Sequence, residues 1–321
     1  MITESDIRQI KGLMSVGYDG EQRLFQNEPM SRHTSFGAGG PAEVFIDATG
    51  EELQRLVPFL REKAIPYIVI GAGSNLLVSD KGIPGVVICI GKWMMTSAIQ
   101  YLCIEADSGC LLPVLSNMAA DNELSGLEFA AGIPGSLGGA IAMNAGAYGG
   151  EICDVIESVT VLDKSGGLIK MSPEECGFSY RHSIFLERDD LVITGARLRL
   201  EKRVGGKDEI KAKMRENMEK RKSSQPIEFR SAGSTFKRVD TGAGDAASDR
   251  RPAWQLVQEA DCKGLSVGGA QVSEKHCGFV INKGDATATD IYSLIQTVRD
   301  RVREKSGIVL DCEVRFLGDF S

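Results

Sequence analysis

The sequence predicts an α+β protein of two domains, and three observations support this class. Segments in which apolar and polar residues alternate, as in β-strands, recur beside segments with the 3.6-residue periodicity of amphipathic helices. The length of 321 residues suffices for about two domains. Near residue 204 the composition changes from apolar and glycine-rich to charge-rich. We therefore predict a first domain over 1–203, a second over 204–309 and a final strand over 310–321.

The first domain is predicted to alternate strands with helices. A strand over 42–46 leads into a helix over 51–64, on which Leu53, Leu56 and Leu60 share one face. Its other predicted elements are strands over 67–70, 85–90, 101–106, 155–163 and 191–200 and a short helix over 113–120.

The second domain is predicted to be mainly helical before its last strand. A charge-rich helix over 207–222 and a helix over 254–260 precede a third helix over 290–305. The apolar face of this third helix consists of Ile291, Leu294, Ile295, Val298 and Val302. In the strand predicted over 310–316, one face carries Leu310, Cys312, Val314 and Phe316, and the other carries Asp311, Glu313 and Arg315.

Composition and charge exclude several classes of function. There are 37 Lys and Arg residues against 44 Asp and Glu, a net charge of −7 with no basic domain, which speaks against nucleic-acid binding. The eight cysteines form no CxxC pair, so buried thiols in a reducing compartment are predicted. We see no secretory signal and no run of about 18 apolar residues. We expect a cytoplasmic protein without a membrane partner.

The common nucleotide-binding and catalytic motifs are incomplete. Gly71 and Gly73 follow a strand, but Leu76 stands where a dinucleotide fingerprint requires glycine or alanine. No Gly-Lys pair continues as a Walker motif, and no GxSxG nucleophile motif occurs. Three histidines offer little material for a zinc site, so no metal is expected.

Two glycine-bearing segments remain, over 71–76 and 132–149. Successive backbone N–H groups in such segments form a concave anion site, and the missing Cβ lets a diphosphate approach the main chain. The alternative is that both segments are ordinary turns. Two of them close together, the second containing the polar Asn144, favour phosphate binding.

A series of seven motifs runs in order from about residue 32 to residue 318. They are Thr34-Ser35-Phe36-x-x-Gly39-Gly40-Pro41-Ala42, Gly71-x-Gly73-Ser74-Asn75-Leu76-Leu77, Gly132-Ile133-Pro134-Gly135-Ser136-x-Gly138-Gly139, Met143-Asn144-Ala145-Gly146-Ala147-Tyr148-Gly149, Tyr180-Arg181-x-Ser183, Gly233-Ser234-x-Phe236-Lys237 and Glu313-Val314-Arg315. Together they resemble the UDP-N-acetylenolpyruvoylglucosamine reductase family, also called UDP-N-acetylmuramate dehydrogenase or MurB.

The resemblance implies a fold, a cofactor and a reaction. The fold is a two-lobed FAD-binding domain of the vanillyl-alcohol-oxidase (PCMH) type, with lobes over about 1–97 and 98–203, plus a smaller α+β substrate-binding domain. FAD is bound non-covalently and NADPH is the co-substrate. The implied reaction reduces the enolpyruvyl ether of UDP-N-acetylglucosamine-enolpyruvate to UDP-N-acetylmuramate in peptidoglycan precursor synthesis.

The resemblance also implies the site residues. Arg181, Ser234 and Glu313 are the catalytic set. The substrate-binding residues are Tyr180, Lys237 and Arg238. The cofactor-binding residues are Gly71, Gly73, Ser74, Asn75, Leu76, Gly132, Ile133, Pro134, Gly135, Ser136, Gly138, Gly139 and Asn144.

The catalytic set suits the reduction of an enolpyruvyl ether. Hydride adds to the terminal carbon only if the resulting aci-carboxylate is stabilised, and a guanidinium such as Arg181 can do so. Glu313 can share a proton with the same carboxyl group, and Ser234 can protonate the adjacent α-carbon in an enclosed site. Without the resemblance, Ser234 could be a turn residue, Arg181 a surface ion-pair partner and Glu313 a strand-surface charge.

The sequence departs from the family pattern at two places. Arg238 and Val239 stand where family members often continue Phe-Lys with Asn-Pro. No tyrosine occurs between Arg181 and Gln271, so the chain looks like the shorter branch of the family, which lacks a lid tyrosine. We hypothesise that residues 239–251 partly replace that lid.

Two other functions stay open at this point. One is a flavin-dependent sugar or alcohol oxidase of the same fold, in which the flavin is often tethered through His or Cys. The other is a non-catalytic protein that binds flavin or a UDP-sugar. We expect a monomer or a weak oligomer.

Overall fold

The computed structural model describes residues 2–14, 23–203, 205–239 and 251–321. Contacts between Cα atoms divide the chain into two units. Unit 1 consists of Met1–Glu28, Ala42–Ala72 and Pro84–Lys220, and unit 2 consists of Pro29–Pro41, Gly73–Ile83 and Arg221–Ser321. Both units contain helices and sheets, and the predicted α+β class is confirmed. The predicted domain boundaries stay a prediction.

Seven α-helices lie within the described residues. They are α1 (Glu4–Leu13), α2 (Gly50–Glu62), α3 (Leu112–Asp121), α4 (Leu137–Ala142), α5 (Gly206–Ser224), α6 (Ala253–Glu259) and α7 (Ala288–Ser306). Short 3₁₀ helices span Met30–Arg32, Glu128–Gly132, Ile152–Val155 and Ile184–Leu186. Across the described part of the chain, no helix is long and apolar enough to cross a lipid bilayer.

The described strands of unit 2 have two or three residues, and the longest strands lie in unit 1. They are β1 (Leu24–Pro29), β2 (Pro41–Asp47), β3 (Tyr67–Ile70), β4 (Leu76–Val78), β5 (Ile83–Cys89), β6 (Ser97–Gln100), β7 (Cys103–Asp107), β8 (Leu124–Ser125), β9 (Gly146–Ala147), β10 (Gly150–Glu151), β11 (Ile156–Leu162), β12 (Leu168–Met171), β13 (Val192–Arg199), β14 (Glu201–Lys202), β15 (Ser266–Val267), β16 (Ala270–Val272), β17 (Val280–Asn282) and β18 (Arg315–Leu317).

Unit 1 contains two larger sheets. The first has the strand order β1-β2-β5-β3, with β3 parallel to β5. The second is antiparallel at the pairings β11-β12, β11-β13, β13-β7 and β6-β7, in the order β12-β11-β13-β7-β6. Each sheet has its own apolar core. Leu53, Leu56 and Leu60 of α2 are fully buried in the first core, as their helical spacing predicts.

A buried ion pair fixes the start of α2. Thr49 caps the helix, and its hydroxyl accepts a hydrogen bond from the backbone N–H of Glu52. The carboxylate of Glu52 accepts two hydrogen bonds from the guanidinium of Arg23, at 2.6 and 2.5 Å. Because both side chains are almost fully buried, the two charges depend on each other for their stabilisation.

In unit 2, α7 packs on a small antiparallel sheet and α6 packs against α7. The sheet has the order β15-β16-β17, and its core contains the apolar face predicted for α7. Thr287 caps the start of α7, and Gly307 ends it with φ of +74°, a conformation that favours glycine. A separate parallel pair joins β4 to β18, with Leu76 opposite Arg315.

Most of the predicted elements are present within a few residues of the expected bounds, but the final strand is not. The structure limits it to Arg315–Leu317, while Glu313 and Val314 form a bend after an isolated bridge at Cys312. The alternation that suggested a strand still describes burial, because Leu310 and Val314 are buried and Asp311 and Arg315 are exposed. Glu313 therefore does not lie in a strand.

Candidate active site

The first glycine segment follows β3 directly. A Cβ on Gly71 would lie 2.1 Å from the Ser136 hydroxyl oxygen, and a Cβ on Gly73 would lie 1.9 Å from the carbonyl oxygen of His33. Gly73 also has φ of +64°, which L side chains rarely adopt. These positions require glycine because other groups approach the main chain closely.

The second glycine segment leads from the Glu128–Gly132 helix into α4. Ser136 is the N-cap residue of α4, but its hydroxyl caps no backbone N–H group. The backbone is fixed instead by main-chain hydrogen bonds, among them Gly138 N–H to the carbonyl oxygen of Ser108 at 2.8 Å. A Cβ on Gly138 would lie 2.8 Å from Cβ of Ser108, so this contact also requires glycine.

Two hydroxyls in this region are buried without a hydrogen-bond partner. Ser108 and Ser136 are both 2% exposed, and neither Oγ has a partner among the described residues. An unpaired buried hydroxyl costs roughly 1–3 kcal/mol. An oxygen-rich ligand such as a diphosphate would accept hydrogen bonds from both hydroxyls. The residues present therefore fit the diphosphate of a dinucleotide cofactor.

Ser108 is a residue that the sequence analysis missed. It comes one residue after β7. A single serine in that position gives no motif, so only its burial and missing partner identify it.

Arg181 occupies the turn of a tight hairpin in unit 1. Its φ is +52°, although only glycine adopts this region routinely. Its Nη2 donates to the carbonyl oxygen of Gly146 at 2.7 Å, and its Nη1 donates to that of Asn144 at 3.3 Å. The side chain is 16% exposed and lies 3.5 Å from Glu151. The low exposure of this side chain differs from that of the surface ion-pair partner that the sequence left open as an alternative.

Tyr180 and Asn144 surround this arginine. The Arg181 guanidinium carbon lies 5.0 Å from the Tyr180 ring centroid, within cation–π distance. Asn144 is 1% exposed, and its amide bonds to Glu151, to the Ser179 carbonyl oxygen and to the Cys153 N–H group. The side chain of Asn144 thus serves the arginine loop. Its assignment to the cofactor stays a prediction.

Ser234 and Glu313 lie on neighbouring segments in unit 2. Between them stands Thr235, which is fully buried and whose carbonyl oxygen accepts a hydrogen bond from the Glu313 N–H group at 2.9 Å. Thr235 Oγ1 also accepts from Val280 N–H at 3.0 Å. Gly233, with φ of +78°, begins this segment. Ser234 itself is partly buried.

Asn75 links the first glycine segment to Glu313. Its Nδ2 donates to the Glu313 carbonyl oxygen at 2.9 Å, and its own carbonyl oxygen accepts from the Arg315 N–H group at 3.0 Å. Within unit 2 the structure therefore brings together Asn75, Ser234 and Glu313. Lys237 follows on the same segment and is partly buried, while Arg238 is exposed.

The cysteine nearest to the first glycine segment is a neutral thiol. Cys89 Sγ lies 4.0 Å from the Gly71 carbonyl oxygen. Burial, with the charge of Asp47, raises the pKa of the Cys89 thiol to about 12. Burial also raises the pKa of Cys153 beside Asn144. Because the thiolate is the nucleophile, neither cysteine is activated for covalent attachment of a flavin.

Comparisons with known proteins define first the class and then the family. Residues 41–172 match the FAD binding domain family, and the chain is therefore an FAD-binding protein. Residues 225–317 match the family described as UDP-N-acetylenolpyruvoylglucosamine reductase, C-terminal domain.

Similar proteins cover almost the whole chain. UDP-N-acetylenolpyruvoylglucosamine reductase of Caldanaerobacter subterraneus subsp. tengcongensis is 45% identical over 93% of this chain and 95% of its own length. That of Agathobacter rectalis is 46% identical over 92% of this chain and 95% of its own length. The crystal structure of the reductase MurB from Thermus caldophilus matches with a TM-score of 0.73 and 36% identity, over 92% of this chain and 98% of that chain. The chain belongs to the UDP-N-acetylenolpyruvoylglucosamine reductase family.

Proposed function

We propose that this chain is an FAD-dependent oxidoreductase that uses NADPH to reduce UDP-N-acetylenolpyruvoylglucosamine to UDP-N-acetylmuramate, a step in peptidoglycan precursor synthesis. Family membership over more than nine-tenths of the chain supports the reaction. The structural observation that carries the proposal is the Arg181 guanidinium, held in a strained turn by two backbone carbonyl oxygens. Such strain concentrates at functional sites.

The two glycine segments supply the groups that would hold FAD. The hydroxyls of Ser108 and Ser136 would donate to diphosphate oxygens. The motifs assign Gly71, Gly73, Gly138 and Gly139 to the cofactor, and their main-chain groups would serve its diphosphate. When bound, FAD supplies hydride transfer, from NADPH and then to the substrate. The raised pKa of Cys89 supports a cofactor that is not covalently attached.

Arg181 would bind the carboxylate of the enolpyruvyl group. A guanidinium stays charged at every physiological pH and matches the two oxygens of a carboxylate. When hydride adds to the terminal carbon, negative charge moves onto those oxygens, and a cation fixed in advance stabilises it without reorganisation. The contacts to Gly146 and Asn144 supply that fixation.

Ser234 and Glu313 would supply the remaining groups that the reaction needs. The α-carbon that receives no hydride must gain a proton, and the Ser234 hydroxyl is the donor that we propose. Glu313 would share a proton with, or accept a hydrogen bond from, the carboxyl group of the substrate. The main-chain bond between Thr235 and Glu313 holds these two residues on adjacent segments. Tyr180, Lys237 and Arg238 would bind the rest of the substrate.

The remaining expectations belong to the same proposal. We propose a cytoplasmic protein that acts as a monomer or weak oligomer on a small-molecule substrate. The hypothesis that residues 239–251 replace the lid tyrosine falls almost entirely on 240–250, which lie outside the described residues.

Steady-state NADPH oxidation tests the reaction. We expect oxidation to require both bound FAD and the enolpyruvyl substrate. In the Ser234→Ala variant, NADPH should still bleach the flavin, but reoxidation by the substrate should fall by more than about 100-fold, as for the loss of a general acid. Bound FAD without substrate-dependent turnover would favour a non-catalytic binding protein, and reduction of the flavin by a sugar or alcohol would favour an oxidase.

A further inference from the structure

Two tight hairpins in unit 1 surround Arg181. In one, Ser179 and His182 exchange two backbone hydrogen bonds of 3.1 Å, so Tyr180 and Arg181 form a two-residue turn. The left-handed conformation of Arg181 is unfavourable for a residue with a side chain. It persists only if the surroundings fix it.

The second hairpin pairs β9 with β10 and carries Glu151. Tyr148 and Gly149 form its turn, with φ of +53° and +88°. Glu151 lies opposite Gly146, the residue whose carbonyl oxygen accepts from Arg181. A Cβ on Gly146 would lie 2.7 Å from Cγ of Glu151, so glycine is required for the glutamate to pack here.

The carboxylate of Glu151 connects the guanidinium to the base of its own turn. Oε1 lies 3.5 Å from Nη1 of Arg181, and Oε2 accepts a hydrogen bond from Nδ2 of Asn144 at 2.9 Å. The same Nδ2 donates to the carbonyl oxygen of Ser179, where the Arg181 turn begins, at 2.9 Å. Asn144 Oδ1 accepts from the Cys153 N–H group at 3.2 Å, so both polar atoms of the buried amide have protein partners.

We infer that Glu151, supported by Asn144, is a positioning residue that fixes the plane of the Arg181 guanidinium. The inference rests on the proposed function, in which that guanidinium binds the substrate carboxylate. A guanidinium is planar, so acceptors placed around one part of it set the direction of its other N–H groups. Gly146, Asn144 and Glu151 provide those acceptors. Glu151 acts through Arg181 and touches no reacting atom.

A double-mutant cycle tests whether Glu151 acts through the arginine. Glu151→Gln keeps the size of the side chain and removes its charge. In the FAD-loaded enzyme we expect flavin reduction by NADPH to be unchanged and reoxidation by the enolpyruvyl substrate to slow about 10-fold, as for loss of one charge-assisted contact. In an Arg181→Lys background, Glu151→Gln should change reoxidation by less than about 2-fold, because no guanidinium plane is left to fix.

Two further variants make the cycle decisive. Glu151→Asp keeps the charge on a shorter side chain and should give an intermediate rate. Glu187→Gln removes a carboxylate that closely follows Arg181 in the sequence. This carboxylate lies 3.6 Å from His182 and is largely exposed, so the variant should leave the rate within about 2-fold. Equal slowing by Glu151→Gln in both arginine backgrounds would overturn the inference.

A labelling experiment measures the position of Arg181 without turnover. Phenylglyoxal modifies accessible guanidinium groups, and peptide mass spectrometry follows each arginine of the holoenzyme separately. We expect Arg181 to react at least about 3-fold faster in the Glu151→Gln variant than in the wild-type protein, because a mobile guanidinium is more accessible. The exposed Arg188 serves as internal reference. An unchanged rate at Arg181 contradicts the inference even if the reductase assay succeeds, and a faster rate supports it even if that assay fails.

Discussion

Replacing Gly73 by alanine tests the claim that close main-chain packing shapes the first glycine segment. The new Cβ would lie 1.9 Å from the carbonyl oxygen of His33 and 2.9 Å from its carbonyl carbon. Ordinary contacts of a Cβ begin at 3.4 Å, so the oxygen is 1.5 Å too close. Because both partners belong to the main chain, no side-chain rotation relieves the clash. One of the two segments has to move.

The expected loss of stability has three parts. The φ of +64° costs an alanine roughly 1 kcal/mol. Separating the segments breaks the hydrogen bond from Ser35 N–H to the Gly73 carbonyl oxygen, at about 1 kcal/mol. Residual strain in a packed region adds about 1–3 kcal/mol. We expect the free energy of unfolding to fall by about 3 kcal/mol or more and FAD affinity to fall at least about 10-fold.

Gly307→Ala is the matched control. Gly307 has a similar φ of +74°, but no atom lies within 4 Å of the position of its Cβ. This variant should therefore lose only about 1 kcal/mol of stability and bind FAD normally. Urea unfolding followed by tryptophan fluorescence gives the stability, and quenching of flavin fluorescence gives the affinity. Equal losses in the two variants, or unchanged FAD binding in Gly73→Ala, would refute the packing argument.

Three further predictions concern buried groups. Ser136→Ala should leave the stability of the apoprotein unchanged or raise it by up to about 1 kcal/mol, because it removes an unpartnered hydroxyl, and should weaken FAD binding about 10-fold by titration. Arg23→Ala should lower the free energy of unfolding, measured in urea, by about 3–5 kcal/mol, because the Glu52 carboxylate stays buried without the charge of Arg23. A loss under about 1 kcal/mol would show that water replaces the arginine. The folded pKa of Cys89, about 12, exceeds the ordinary value near 9, so its stabilising contribution should be complete below about pH 9 and disappear as the pH rises towards 12. Iodoacetamide at pH 8 should label Cys89 at least about 10-fold more slowly in the native protein than in urea.

Local periodicity predicted the elements whose burial follows a regular spacing. The leucines of α2 and the apolar face of α7 are buried as expected, because an amphipathic helix of three or more turns has enough residues to define a face. The same reasoning failed for the last strand. Only Arg315–Leu317 pairs as a strand, and its partner β4 has three residues, too few for a pattern to define.

The division into units could not be read from the sequence. Pro29–Pro41 and Gly73–Ile83 belong to unit 2 although they stand among residues of unit 1. The pairing that places the second segment there joins Leu76 to Arg315, across most of the chain. A change in composition is visible only between long segments of the chain. A segment of about a dozen residues, such as either of these two, is too short to change the average composition.

The candidate site also has one part that motifs predicted and another that only the structure shows. Motifs singled out Arg181 as a candidate, because it stands in one of the seven blocks that together resemble the family. They did not identify Glu151 or Ser108, since a glutamate beside two glycines and a serine after a strand are common in any protein. Only the structure singles them out, through the 3.5 Å between Glu151 and the guanidinium and through the missing partner of the Ser108 hydroxyl among the described residues.

Asn75 links a proposed cofactor residue to a proposed catalytic residue. The motif assigns Asn75 to the cofactor, but its amide donates to the carbonyl oxygen of Glu313 at 2.9 Å. The N–H group of Glu313 is in turn held by Thr235, next to Ser234. Glu313 lies in a bend rather than in a strand, so these two hydrogen bonds take the place of regular strand pairing. A change of the Asn75 side chain removes one of these two hydrogen bonds, so it acts on the proposed catalytic residue Glu313 as well as on any cofactor contact that Asn75 makes.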